Sequence, residues 1–234
     1  MTKDLINKIA RTAGVLYLTV VVTGIYSLVY VPSQITVRGD ALATVNNIVA
    51  SEPLFRLGIV SLMLNQTAFL LLPFVLYQLL QRVNKNVAVL MVAFAVVSVP
   101  ISMVSIANRL DVLSLLSGTG YLETFTPGQL HAKVMLSLNA YSNGILVTTI
   151  FWGLWLLPFG YLVFKSGFLP KVLGILLMIG CFGILIDVFG RMLFPGYAET
   201  AISTYFEMSS SFGEIGICLW LLIFGVCKRE ALAK

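Results

Sequence analysis

The chain has 234 residues, 59% of them hydrophobic and 11% charged, with a formal net charge of +5. Soluble domains carry about 25% charged residues, so this composition excludes a water-covered globule and leaves room for six or seven membrane helices of ~20 residues. The basic residues stand at the ends of apolar segments rather than in a patch, which excludes nucleic acid as a partner.

Charge-free runs set out the elements in order. The first span is expected over 12–34, between Arg11 and Arg38. Tyr30-Val31-Pro32-Ser33-Gln34 follows its apolar stretch in place of a small-residue cleavage site, so it reads as a retained helix and not as a signal peptide. Asp40 is placed to N-cap a short amphipathic helix, Ala41 to Ala50, with Ala43, Val45, Ile48 and Val49 as its apolar residues and a position along the interface. Further spans are expected over 54–80, 87–108, 140–164, 170–193 and 209–227. Helix three keeps its pattern past Arg109 to Leu116, and helix four begins near Gln129. At ~1.5 Å per residue His131 stands ~50 Å from Lys165, beyond a ~30 Å hydrocarbon core. Helices three and four are therefore expected to protrude on the extracytoplasmic side, joined by the turn Gly118 to Gly128. Pro100 and Pro158 predict kinks. The expected fold is an all-α polytopic transmembrane helical bundle of six spans, a single domain over 1–234.

Orientation follows from charge. Lys3, Lys8, Arg11, Arg82, Lys85, Lys165, Lys171, Lys228, Arg229 and Lys234, ten of the fifteen Lys and Arg, fall on one side with two acids, Asp4 and Glu230. Positive-inside bias places both termini in the cytoplasm and the protein in the cytoplasmic membrane.

Polar residues gather in the outer half. Measured along the helices, Glu214 stands ~21 Å from the cytoplasmic end, Gln66 and Asp187 ~24 Å, and Arg191 ~30 Å. Asn143, Arg109, Asp111, Arg56 and Asn139 follow between ~33 and ~39 Å. Helical angles put Gly180, Gly183, Asp187, Gly190 and Arg191 on one face of helix five. Glu207, Ser210, Ser211, Glu214, Cys218 and Gly225 share a face of helix six, and Asn139, Ser142, Asn143, Thr149 and Gly153 a face of helix four. A charge facing lipid costs at least ~2.5 kcal/mol, so these faces are expected to turn toward protein. Arg56, Gln66, Arg109, Asp111, Asn139, Asn143, Asp187, Arg191 and Glu214 are the candidate ligand-binding residues. They suit either an outward-facing pocket whose arginines hold an anionic amphiphile, or an internal salt-bridge network of Asp187 with Arg191 and Glu214 with Arg56 or Arg109.

No catalytic set, metal or cofactor is expected. Cys181, Cys218 and Cys227 form no CxxC pair, and His131 is the single histidine, read as solvated at the outer start of helix four. HExxH, GxSxG and P-loop patterns are missing, and no lysine stands in mid-membrane for a Schiff base. Trp152, Trp155, Tyr17 and Tyr26 read as packing or interface residues.

Ala10-Arg11-Thr12-Ala13-Gly14-Val15-Leu16-Tyr17 and Ser51-Glu52-Pro53-Leu54-Phe55-Arg56-Leu57-Gly58-Ile59 resemble the opening of a prokaryotic multi-pass membrane family, domain of unknown function 4386. Gly160-Tyr161-Leu162, Lys165-Ser166-Gly167, Leu169-Pro170, Leu185-Ile186-Asp187, Gly213-Glu214 and Leu219-Trp220-Leu221 resemble its later segments. The resemblance implies a multi-pass fold and no assigned activity. Three functions fit these observations. The leading one is binding or transport of a small amphiphile or lipid, with membrane lipids as partners. The others are an intramembrane lipid-modifying enzyme using Glu214 or Asp187, and a structural or interaction subunit.

Overall fold

A backbone in hydrocarbon has only itself to hydrogen-bond to, and every regular element among the described residues is helical. The computed structural model describes residues 3–118, 120–122, 124–197 and 200–226; the side chains of Lys3, Tyr121 and residues 201–211 lie outside that description. Glu123, Glu199, Cys227, Lys228, Arg229, Glu230 and Lys234 also lie outside it, as do the side chains of Glu207, Ser210 and Ser211.

In chain order the helices are α1 (Lys3–Gly24), a π-helical segment (Ile25–Tyr30), α2 (Val31–Ile35), α3 (Ala41–Ala50), α4 (Glu52–Leu80) and α5 (Lys85–Leu116). A 3-10 turn (Gly120–Leu122), α6 (Pro127–Leu154), α7 (Leu156–Lys165), α8 (Lys171–Leu193) and α9 (Ala201–Ile223) complete them. Five stretches are long and apolar enough to cross a membrane: Asp4–Ile35, Glu52–Leu80, Lys85–Leu116, Pro127–Lys165 and Lys171–Leu193. Phe212–Ile223 is a shorter apolar helix. The 32 residues of α5 and the 39 of Pro127–Lys165 make rods of ~48 and ~58 Å, longer than the ~30 Å needed to cross.

Local chemistry explains the irregular points. Pro32 has no N–H to give to the turn behind it, and the helix widens just before it, with Val31 N–H donating to Tyr26 O across five residues. Pro158 likewise leaves the Leu154 carbonyl without its usual donor, and the helix is interrupted at Trp155, between α6 and α7. Pro100 is different: α5 runs unbroken through it. Asp40 caps α3 as expected, its carboxylate accepting from Ala43 N–H at 2.8 Å. The buried face of α3 is Thr44, Val45 and Ile48, while Val49 is exposed. Thr44 rotates that face inward because its hydroxyl accepts from Val37 N–H at 3.0 Å and tethers α3 to the preceding connection.

The chain forms two compact units. The first holds Met1–Thr19, Ala68–Val99 and Thr148–Lys234. Its core includes Ala13, Tyr17, Leu72, Leu76, Met91, Trp155, Phe159 and Leu177, and α8 packs against both α7 and α9. The second holds Val20–Thr67 and Pro100–Val147, around Val31, Ile48, Phe55, Ile59, Leu62, Ile106, Val134 and Tyr141. In both, large apolar side chains also cover the outside. On α5 Ser98, Ser102, Ser105 and Arg109 are buried while Val97 and Val104 are exposed. An apolar exterior over a polar-striped interior is the arrangement of a membrane protein.

Glycines set the helix spacing in the first unit. A methyl on Gly174 would stand 2.6 Å from Phe164 N and 2.7 Å from Gly160 O, and one on Gly160 2.6 Å from Gly174 O. Those neighbours are backbone, so α7 and α8 would have to separate. Gly174→Ala is therefore expected to destabilise the protein by roughly 1–3 kcal/mol, the usual range for overpacking. Val172→Ala, at a position 66% exposed, should leave the thermal midpoint in detergent unchanged. Equal midpoints for Gly174→Ala and the parent would contradict the close contact.

Candidate functional site

The second unit contains a charge that its own packing leaves unanswered. Ser102, Ser105 and Arg109 lie at spacings of three and four on α5 and face the same way. Ser105 donates back to Ile101 O at 2.7 Å, and its hydroxyl lies where a side chain on Gly144 of α6 would stand. One turn further on, Arg109 is only 6% exposed. Its Cζ lies 4.0 Å from the centroid of the Tyr141 ring and 5.7 Å from that of Phe55. Both rings belong to the apolar cluster of Ile48, Ile59, Leu62, Ile106, Val112 and Val134.

The stacking satisfies the face of the guanidinium but not its edge. Arg109 Nε and Nη1 are buried without a hydrogen-bond partner, and so is the Tyr141 hydroxyl. The described carboxylates of this unit are engaged elsewhere or exposed: Asp40 caps α3, Glu52 pairs with Arg56 at 2.7 Å, and Asp111 faces outward. A desolvated cation–π contact contributes ~2 kcal/mol, whereas removing an ion from water costs several. The cost exceeds the gain. The guanidinium edge is left uncompensated among the described residues.

Elsewhere in the same unit, amides and hydroxyls tie α4 to the end of helix one. Asn65 Nδ2 donates to Val20 O at 2.7 Å and to Thr23 Oγ1 at 3.2 Å, and its carbonyl accepts from Gln66 Nε2 at 3.0 Å. Thr23 O accepts from the hydroxyls of Ser27 (2.6 Å) and Ser61 (3.2 Å) beside the π-helical turn. Gln66 Oε1 and Ser102 Oγ remain buried without a partner.

In the first unit two acids, Asp187 and Glu214, are held. Arg191 Nε donates to Asp187 Oδ2 at 2.7 Å, one turn along α8, with the Asp187 side chain 10% exposed. Asp187 shares its buried face with Gly180, Gly183 and Gly190, as the helical angles predict. Glu214, half-buried on α9, accepts from the Tyr17 hydroxyl at 3.1 Å. Tyr17 is packed against Trp155 and Phe159. Cys218 directs its thiol at Gly14 O, 3.8 Å away. Among the described residues no three of His, Cys, Asp and Glu come together as metal ligands.

The candidate residues therefore separate into groups. Gln66 and Arg109 are buried in the second unit, Asp187 and Arg191 form a pair in the first, and Glu214 pairs with Tyr17. Arg56, Asp111, Asn139 and Asn143 are exposed. On α6 the buried line is Val134, Tyr141 and Thr148. Asn139 and Asn143, two residues either side of Tyr141, point ~200° away from it. Ser142 is exposed with them, while Thr149 is half-buried and Gly153 buried, so only the outer part of the face expected to turn inward on helix four turns outward. Tyr141, Ser102, Ser105 and Asn65 were missed by sequence reasoning. The signal for the first was its place in a seven-residue repeat ending at the buried Trp155.

The Asp187–Arg191 pair carries its own test. Asp187→Asn or Arg191→Gln alone leaves one charge behind, and each is expected to cost on the order of 1–3 kcal/mol, given that Arg191 is partly exposed. The double variant should recover much of that loss in thermal unfolding. Strictly additive losses would mean that the pair does not act as one.

Comparison with known proteins places these features in a family. An "Uncharacterized protein" of Archaeoglobus fulgidus is 32% identical over 161 residues, covering 68% of this chain and 77% of that protein. No solved structure matches. The family model for domain of unknown function 4386 matches residues 12–225, nearly the whole chain, and the protein belongs to that family.

Proposed function

We propose that this protein binds an anionic amphiphile from the surrounding membrane at Arg109, as a carrier or binding protein rather than an enzyme. The observation that carries the reading is the buried guanidinium stacked on Tyr141 with Nε and Nη1 unpartnered. An ordinary structural arginine closes on a carboxylate, as Arg191 does on Asp187. Arg109 has none among the described residues, and a ligand that brings its own negative charge offsets the cost of burying it. Asp187 and Arg191, closed on each other, serve packing.

We infer further that the chain crosses the cytoplasmic membrane six times with both termini inside. The sixth span combines the apolar Phe212–Ile223 with the turns on either side of it. Five of the fifteen Lys and Arg, including Arg109, then lie in the outer half or beyond it, and α5 and α6 extend outward. This topology is tested with single cysteines in a chain whose own three have been replaced. Thr126→Cys should react with an impermeant thiol reagent in intact cells and Asn84→Cys should not. Reversed labelling would invert the topology.

The binding reading is tested by native mass spectrometry of protein purified in mild detergent. The parent and Arg56→Gln, altered at an exposed pair, should retain anionic lipid adducts that Arg109→Gln loses. The same adducts on all three, or none on the parent, would leave Arg109 with a structural role only.

A further inference from the structure

We infer that the group recognised by Arg109 is a single carboxylate on an apolar tail, the chemistry of a fatty acid, with one oxygen on the guanidinium and the other on the Tyr141 hydroxyl. This deepens the proposed function and rests on it.

Charge comes first. Arg109 is the one buried charge of the second unit among the described residues, since Arg38, Arg56 and Lys133 are exposed. A monoanion neutralises it. A phosphate monoester would leave a residual negative charge among Ile59, Ile106 and Val112, with no second cation to answer it.

The second consideration is the count of donors. Three buried donors lack acceptors there: Arg109 Nε, Arg109 Nη1 and Tyr141 OH. With Arg109 Cζ 4.0 Å from the Tyr141 ring centroid, the phenol and the guanidinium edge lie close enough for one small planar group to span them. A carboxylate offers two oxygens with about four lone-pair sites, enough for all three donors. The phosphodiester of a glycerophospholipid is also a monoanion, but it brings further phosphate and ester oxygens. Those would be buried against Phe55, Ile48, Leu62 and Val134, which have no donors for them. An alkyl tail brings no such atoms, and its chemistry matches that apolar cluster.

The experiment uses the full chain, delipidated in dodecylmaltoside and titrated with three probes: palmitate, 1-hexadecanol and dipalmitoyl phosphatidylglycerol. Binding is read by native mass spectrometry and by the thermal midpoint. Palmitate is expected to bind and to raise the midpoint, with hexadecanol and phosphatidylglycerol at least about tenfold weaker. Tyr141→Phe keeps the ring under Arg109 and removes one hydrogen bond to the anion. It should weaken palmitate about tenfold without lowering the unliganded midpoint, and Arg109→Gln should abolish palmitate binding. Phosphatidylglycerol bound through Arg109 in preference to palmitate would overturn the carboxylate assignment while leaving an anion site. Palmitate and hexadecanol bound equally, or none of the three probes bound, would overturn the assignment and the anion site together. Unchanged palmitate affinity in Tyr141→Phe would remove the tyrosine from the recognition geometry and overturn the two-point contact.

Discussion

The hydrocarbon of a bilayer supplies neither donors nor acceptors to the polar atoms that this chain carries into it. That constraint selects helices and then decides which way they face. Val97 and Val104 turn out while the serines of α5 turn in. It also explains why interruptions recur at Pro32 and Pro158, where a missing N–H leaves a carbonyl unmet, and why hydroxyls and amides cluster beside the first of them. Thr23, Ser27, Ser61 and Asn65 supply, around the widened turn, hydrogen bonds that water would supply elsewhere.

Buried charge is handled in three ways in this molecule, and the contrast gives Arg109 its meaning. Asp187 is neutralised within its own helix by Arg191. Glu214 receives a phenol hydroxyl from a helix almost two hundred residues earlier in the chain. Arg109 is given aromatic faces and, among the described residues, no counter-charge. The first two arrangements are closed, with donor and acceptor both inside the protein. In the third, Nε and Nη1 of the guanidinium have no hydrogen-bond partner. A protein that needed only to hold α5 in register had a cheaper solution in the serines one and two turns earlier.

The helices, the capped α3 and the glycine face of α8 were legible in the sequence because each depends on a one-dimensional signal. Charge-free length sets a span, Asp40 stands directly before its helix, and small residues repeat at helical spacing. The candidate site was legible only in part. Depth along a helix can be counted, but azimuth needs a reference face, and on α6 the polar residues were a poor one. Asn139, Ser142 and Asn143 drew attention by their chemistry, while the buried line ran through Val134, Tyr141 and Thr148. The partner of Glu214 was similarly out of reach. Arginines were the obvious counter-charges, and nothing local distinguishes Tyr17, 197 residues away, from a packing aromatic.

That separation bears on how the protein is made. The first helix meets the last through Gly14 against the backbone of Leu222, Tyr17 on Glu214, and Asn7 accepting from Val226 N–H at 3.2 Å beside the left-handed Gly225. At ~5–20 residues per second, α1 waits roughly 10–40 s after its own synthesis before α9 emerges. During that interval its glycine notch and phenol face either lipid or a chaperoning insertase. The chain thus closes like a clasp whose two halves, α1 and α9, are 197 residues apart at Tyr17 and Glu214. Until α9 is in place, the phenol of Tyr17 and the notch at Gly14 form an open seam along α1.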